Sequence, residues 1–125
     1  MAQLNLYSYG ANVGSYEKYP DDSIIYDIRN EHTEHVKIPE GRTQTGLDES
    51  FRKKLFKNEN FANLLHDYKN NIVDMISSAK TNSTINIVIM CHRGQHRSVS
   101  IVEELYEYFK NNEKIEVRKE HLSMD

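Results

Sequence analysis

Residues 85–109, INIVIMCHRGQHRSVSIVEELYEYF, change hydrophobic period partway along, and that change limits the possible folds more than any other stretch of the chain. Ile85, Ile87, Val88, Ile89 and Met90 form a short, largely β-branched run of the kind buried on both faces of a parallel sheet. From Ser98 the spacing becomes helical: Ile101, Val102, Leu105, Tyr106 and Phe109 share one stripe, with Glu103, Glu104, Glu107 and Lys110 expected to face away. The stretch predicts a strand, a loop and a helix, in that order. The loop is Cys91-His92-Arg93-Gly94-Gln95-His96-Arg97-Ser98.

A loop that enters a helix points several backbone N–H groups and the positive end of the helix dipole at one spot. Gly94 lets the backbone turn and approach closely. Arg97 offers a bidentate fork for a phosphate or carboxylate, Arg93 adds a second cation, and Ser98 is suited to cap the helix with its hydroxyl. His92, Gln95 and His96 complete the polar lining. A cysteine, five residues, then Arg-Ser, with a glycine three after the cysteine, is also the spacing of the cysteine-dependent phosphatase loop. On that reading Cys91 attacks phosphorus, Arg97 holds the equatorial oxygens, and Asp27 or Asp48 serves as general acid. Met90 stands where such phosphatases usually carry a histidine.

The rest of the chain supplies a frame for that loop. Gln3 to Tyr9 alternates as a first strand, and Ser23 to Asp27 reads as a second, with Asp27 and Arg29 at its carboxyl end. Asn30 to Gln44 has neither period and reads as a long loop, a class more often functional than idle. Asp48 is placed to cap a helix over Glu49 to Lys57, whose Arg52, Lys53, Lys54 and Lys57 make a basic face. A longer helix is expected over Glu59 to Ala79, and a short edge strand over Ile115 to Val117, followed by a tail through His121. Strands alternating with helices predict a three-layer α/β fold, a mainly parallel sheet with helices on both faces. Ligands in such sheets sit at the carboxyl ends of the strands.

A chain of 125 residues suffices for one domain, 1–125, and one core. The single cysteine, with no signal peptide or long apolar run, points to the cytoplasm and to no membrane partner. The net charge of -3 gives no global attraction to nucleic acid, so any basic site must be local. No cofactor is expected. Cys91, His92, His96 and His35 contain metal-binding side chains, but Cys91 and His92 are adjacent and cannot easily share one tetrahedral ion with His96, so no metal is expected either.

The loop resembles the CTGGxHRS signature of the RapZ C-terminal domain family. Ser8-Tyr9-Gly10 is similar to that family's SFG, Tyr26-Asp27-Ile28-Arg29 to its FDVR, and Thr45-Gly46-Leu47-Asp48, with Arg42 just before, to its TGLD. The likeness runs from about Leu6 to Leu122 in the family's order, as a stand-alone C-terminal domain. It implies a pocket similar to the sugar-phosphate-binding part of phosphofructokinases, which in the family senses glucosamine-6-phosphate. The matching positions are His35, His92, Arg93 and Arg97, with Arg42 on the ligand's far side. This chain has His92 and Arg93 where the family has Thr and Gly, which adds basic character.

Three functions follow as expectations. The first is binding or sensing of a phosphorylated small molecule through Cys91 to Ser98. The second is a cysteine-dependent phosphatase using Cys91 and Arg97. The third is RNA binding through the loop together with Lys53, Lys54 and Lys57. A homo-oligomer and a separate partner protein remain open.

Overall fold

The computed structural model describes residues 1–13, 18–29 and 44–124. Among the described residues there are four strands, β1 (Ala2–Gly10), β2 (Ile24–Asp27), β3 (Thr84–Cys91) and β4 (Ile115–His121), and three helices, α1 (Glu49–Leu55), α2 (Glu59–Ser78) and α3 (Arg97–Phe109). The sheet is parallel throughout, in the order β2-β3-β1-β4, as the sequence predicts for a mainly parallel α/β fold.

Register fixes which residues share a face. Leu4 pairs with Ile85 and Val117, Leu6 with Ile87 and Lys119, Ser8 with Ile89 and His121, and Gly10 with Cys91. Leu4, Leu6, Ile87 and Ile89 are buried there against Phe61, Leu65 and Ile72 of α2 and Val102 and Leu105 of α3. Tyr26 on the same face stacks on Tyr68 of α2 at 4.2 Å between ring centroids. The α2 helix is set as its sequence indicates. Asn58 caps it by accepting from the Phe61 N–H at 3.0 Å, and Phe61, Leu65, Tyr68 and Ile72 recur on one stripe.

Two of the three expected layers are present among the described residues, with all three helices on one face. The connections β2 to β3 and β3 to β4 both step across the sheet toward β4, so the right-handed crossover rule places their helices together. Only the connection from β1 to β2 steps the other way, and its described residues hold no helix. The face opposite the helices carries a chain of amides: Gln3 donates to Asn5 (2.8 Å), Asn5 to Asn86 (3.0 Å) and Asn86 to Asp22 (3.0 Å).

The structure differs from expectation at three further points. The α1 helix stops at Leu55, and Arg52 is turned inward, 9% exposed. The last strand continues to His121, so Arg118 to His121 is sheet, not tail. Glu103, expected on the solvent side, is covered by that extension. Among the described residues no helix is long and apolar enough to cross a membrane.

Candidate functional site

The carboxyl end of β3 delivers the loop beside the end of β1. Backbone N–H groups of Ala11 and Asn12 donate to the carbonyls of Cys91 (2.9 Å) and His92 (2.8 Å), so the chain after β1 runs along the loop. Gly10 makes this approach possible, because a Cβ there would lie 2.7 Å from the Gly94 nitrogen and closer still to the Arg93 carbonyl group. Gly94 has φ +70, in the left-handed region where a side chain is strained. Its N–H donates to Cys91 Sγ at 3.1 Å.

The turn opens onto α3, whose first residue is Arg97 and whose N-cap, His96, makes no side-chain cap bond. Ser98, expected as the cap, lies in the first turn with no exposure, its hydroxyl 3.0 Å from Cys91 Sγ. The reason is position: Cys91 points to the helical face of the sheet, directly under the start of α3. Cys91 is thus 3% exposed, with its sulfur between the Gly94 amide and Ser98.

The candidate side chains divide between two lips. His92 is exposed on one, its Nδ1 3.4 Å from Asn12 Nδ2 and close enough to Asp27 to act on its charge. On the other, His96 Nε2 lies 3.1 Å from the Gln44 carbonyl oxygen and its ring 5.2 Å from that of Phe51. A carbonyl only accepts, so Nε2 carries the proton. Arg93 and Gln95 are exposed, and Arg97 is half-buried at the helix start. His35 and Arg42 lie outside the described residues.

The two aspartates considered as acids are engaged. Arg29 donates to Asp27 through Nε (2.9 Å to Oδ1) and Nη2 (2.6 Å to Oδ2). Those hydrogen bonds hold the Asp27 carboxyl below its usual range against the opposing effect of desolvation, so it stays ionised at neutral pH. Asp48 Oδ2 accepts from the Thr45 N–H at 2.8 Å instead of capping α1. The basic face of α1 is also diminished: Arg52 points inward, and Lys53 pairs with Glu49 at 3.3 Å.

Three contributors escape a reading of local pattern. Ser123 accepts from the Gly10 N–H at 2.9 Å and so buttresses the loop from the far end of the chain. His121 bridges Ser8 Oγ (2.7 Å to Nδ1) and Glu103 Oε2 (3.0 Å from Nε2). Arg52 donates from Nη1 to the carbonyls of Gly46 and Leu47, both at 2.9 Å. The alternation of Ile115, Val117, Lys119 and His121 was the available signal for a longer β4. A cleft of about 390 Å³ at the opposite end of the sheet, lined by Val73, Ile76, Phe109 and Ile115 among others, holds none of these groups.

The sequence profile described as RapZ C-terminal domain matches residues 2–125. A nucleotide-binding protein of Actinobacillus succinogenes is 33% identical over 107 residues, covering 84% of this chain and 37% of its own length. One from Shewanella violacea is 31% identical over 128 residues, covering 98% and 43%. The RNase adapter protein RapZ of Serratia proteamaculans is 27% identical over 110 residues, covering 84% and 37%. The chain thus spans about two fifths of the length of these curated relatives.

Proposed function

We propose, on the premise that this chain belongs to the RapZ C-terminal domain family, that it binds a phosphorylated small molecule at the Cys91–Ser98 loop and acts as a sensor of that ligand. The observation that carries the reading is the loop itself: Gly94 in the left-handed conformation, backed against Gly10, leading into a helix whose N-terminus has no side-chain cap and whose first residue is Arg97. His92, Arg93, Gln95 and His96 would surround the anion, with His35 and Arg42 reaching its far side. An amino-sugar phosphate such as glucosamine-6-phosphate is the ligand that the family resemblance favours. The relatives' names, nucleotide-binding protein and RNase adapter, suggest that ligand occupancy here is passed on to a protein or RNA partner.

Thermal melting with and without phosphate and glucosamine-6-phosphate checks the reading, since a ligand that binds only the folded state raises the melting temperature. Arg97→Ala is expected to weaken binding of both by about ten- to a hundredfold, the loss of one charged, bidentate contact. Undiminished stabilisation in that variant would place the anion elsewhere.

The phosphatase alternative draws on the same loop, and the Gly94 N–H aimed at Cys91 Sγ is the contact in its favour. Burial of the sulfur under Ser98 and the ionised state of Asp27 favour binding over attack. Cys91→Ser should therefore keep phosphate-dependent stabilisation. Phosphate release from a phosphomonoester by the wild type, lost in the serine variant, would reverse the ranking.

A further inference from the structure

We infer that Arg52 is a positioning residue for the candidate anion site, acting through His96, although it is remote from the loop in sequence and its side chain is turned into the protein. The inference rests on the loop being the anion site and adds a residue that holds one of its lips.

The geometry forms a closed chain of contacts. Arg52 Nη1 donates to two successive carbonyls, Gly46 and Leu47, each at 2.9 Å, while its Nε donates to Glu104 Oε1 of α3 at 3.2 Å. One guanidinium thus ties the turn before α1 to the body of α3. That turn is in contact with the loop at three points. The Gly46 N–H donates to the Gln95 carbonyl at 2.9 Å, and the Gln44 carbonyl accepts from His96 Nε2 at 3.1 Å. Gly46 also lies so close to α3 that a Cβ on it would fall 2.5 Å from the Ser100 nitrogen and 2.7 Å from the His96 carbonyl oxygen.

The direction of the imidazole depends on that turn. The Gln44 carbonyl selects the protonated nitrogen, and Phe51, the residue before Arg52, packs its ring against the imidazole. A planar fork meets two carbonyls and a carboxylate at once. A lysine ammonium retains the charge but is a single point on a flexible stem, so it lacks this geometry.

The test combines imidazole NMR with phosphate binding in four proteins: wild type, Arg52→Met, His96→Gln and the double variant. In the wild type the His96 resonance, identified by its disappearance in His96→Gln, should report a proton on Nε2. In Arg52→Met it should shift toward a mixture of tautomers, and phosphate affinity should fall by about tenfold. The double variant should bind no more weakly than His96→Gln alone, because Arg52 acts through the histidine. Arg52→Lys should fail to restore either signal. An unshifted His96 resonance in Arg52→Met, or losses that multiply in the double variant, would overturn the inference. Absence of phosphate binding by the wild type would instead sink the anion site, leaving the tautomer measurement to decide the role of Arg52. If Arg52→Met does not fold, Glu104→Gln, which loosens only the Nε anchor, should give a smaller shift of the same kind, and no shift would count against the assignment.

Discussion

Gly10→Ala is expected to lower the melting temperature by more than 10 °C and to abolish phosphate-dependent stabilisation. The added Cβ would sit 2.7 Å from the Gly94 nitrogen and closer to the Arg93 carbonyl, and all of these are backbone atoms. A flexible side chain could swing aside, but here β1 and the loop must separate. Their separation would strain the Ala11 and Asn12 hydrogen bonds to Cys91 and His92, and the Gly10 bond to Ser123. Overpacking between backbones belongs to the severe tail of single-substitution effects, about 4 kcal/mol or more, and in a chain of this length each kcal/mol moves the midpoint by several degrees. Calorimetry with and without phosphate measures both effects. A variant melting within a few degrees of the wild type would show that the Arg93 carbonyl can retreat without loss.

Glu103 should make stability depend on acid. Its carboxyl is driven in opposite directions: desolvation raises its pKa, while hydrogen bonds from His121 and Lys119 lower it, and the net result is a value of about 2 against 4.5 for the free group. The folded state therefore binds the proton less readily than the unfolded chain. The resulting stabilisation is full above pH 4.5 and is lost as pH falls toward 2. Its size is on the order of 2 kcal/mol after allowance for partial solvation. Glu103→Gln should cost about 2 to 4 kcal/mol at neutral pH, because the neutral amide gives up the charge that Lys119 and His121 both face, and its NH2 group takes the place of the oxygen to which Lys119 Nζ donates at 3.0 Å. It should also flatten the acid side of the stability profile. Urea melts of both proteins between pH 2 and 7 give the comparison, and parallel profiles would mean that another carboxylate carries the dependence.

Much of this arrangement was legible where a single element encodes it. The switch from a period of two to a period of 3.6 around Cys91 located β3, the loop and α3, and the stripe from Phe61 to Ile72 located α2. What escaped depends on partners that other elements supply. Ser98 has the composition of a cap, yet the sulfur of Cys91 beneath it draws its hydroxyl inward. Arg52 sits among lysines and reads as surface until Gly46, Leu47 and Glu104 are brought to it. Glu103 lies off the apolar stripe of α3, but β4 runs past it and supplies two donors. Local hydrophobic periodicity carries no record of which polar residues another strand will cover.

The pairing of the first strand with the last bears on the order in which the molecule can be made. Ala2 to Ser8 meet Ile115 to His121, and Gly10 meets Ser123, a separation of 113 residues. Contacts so distant close late, after shorter loops have formed. During synthesis the β3–loop–α3 unit leaves the ribosome just ahead of the strand that completes its surroundings, and until that strand follows Gly10 lacks Ser123 and Glu103 lacks Lys119 and His121. The loop thus gains its last supporting contacts only when β4 and Ser123 are in place.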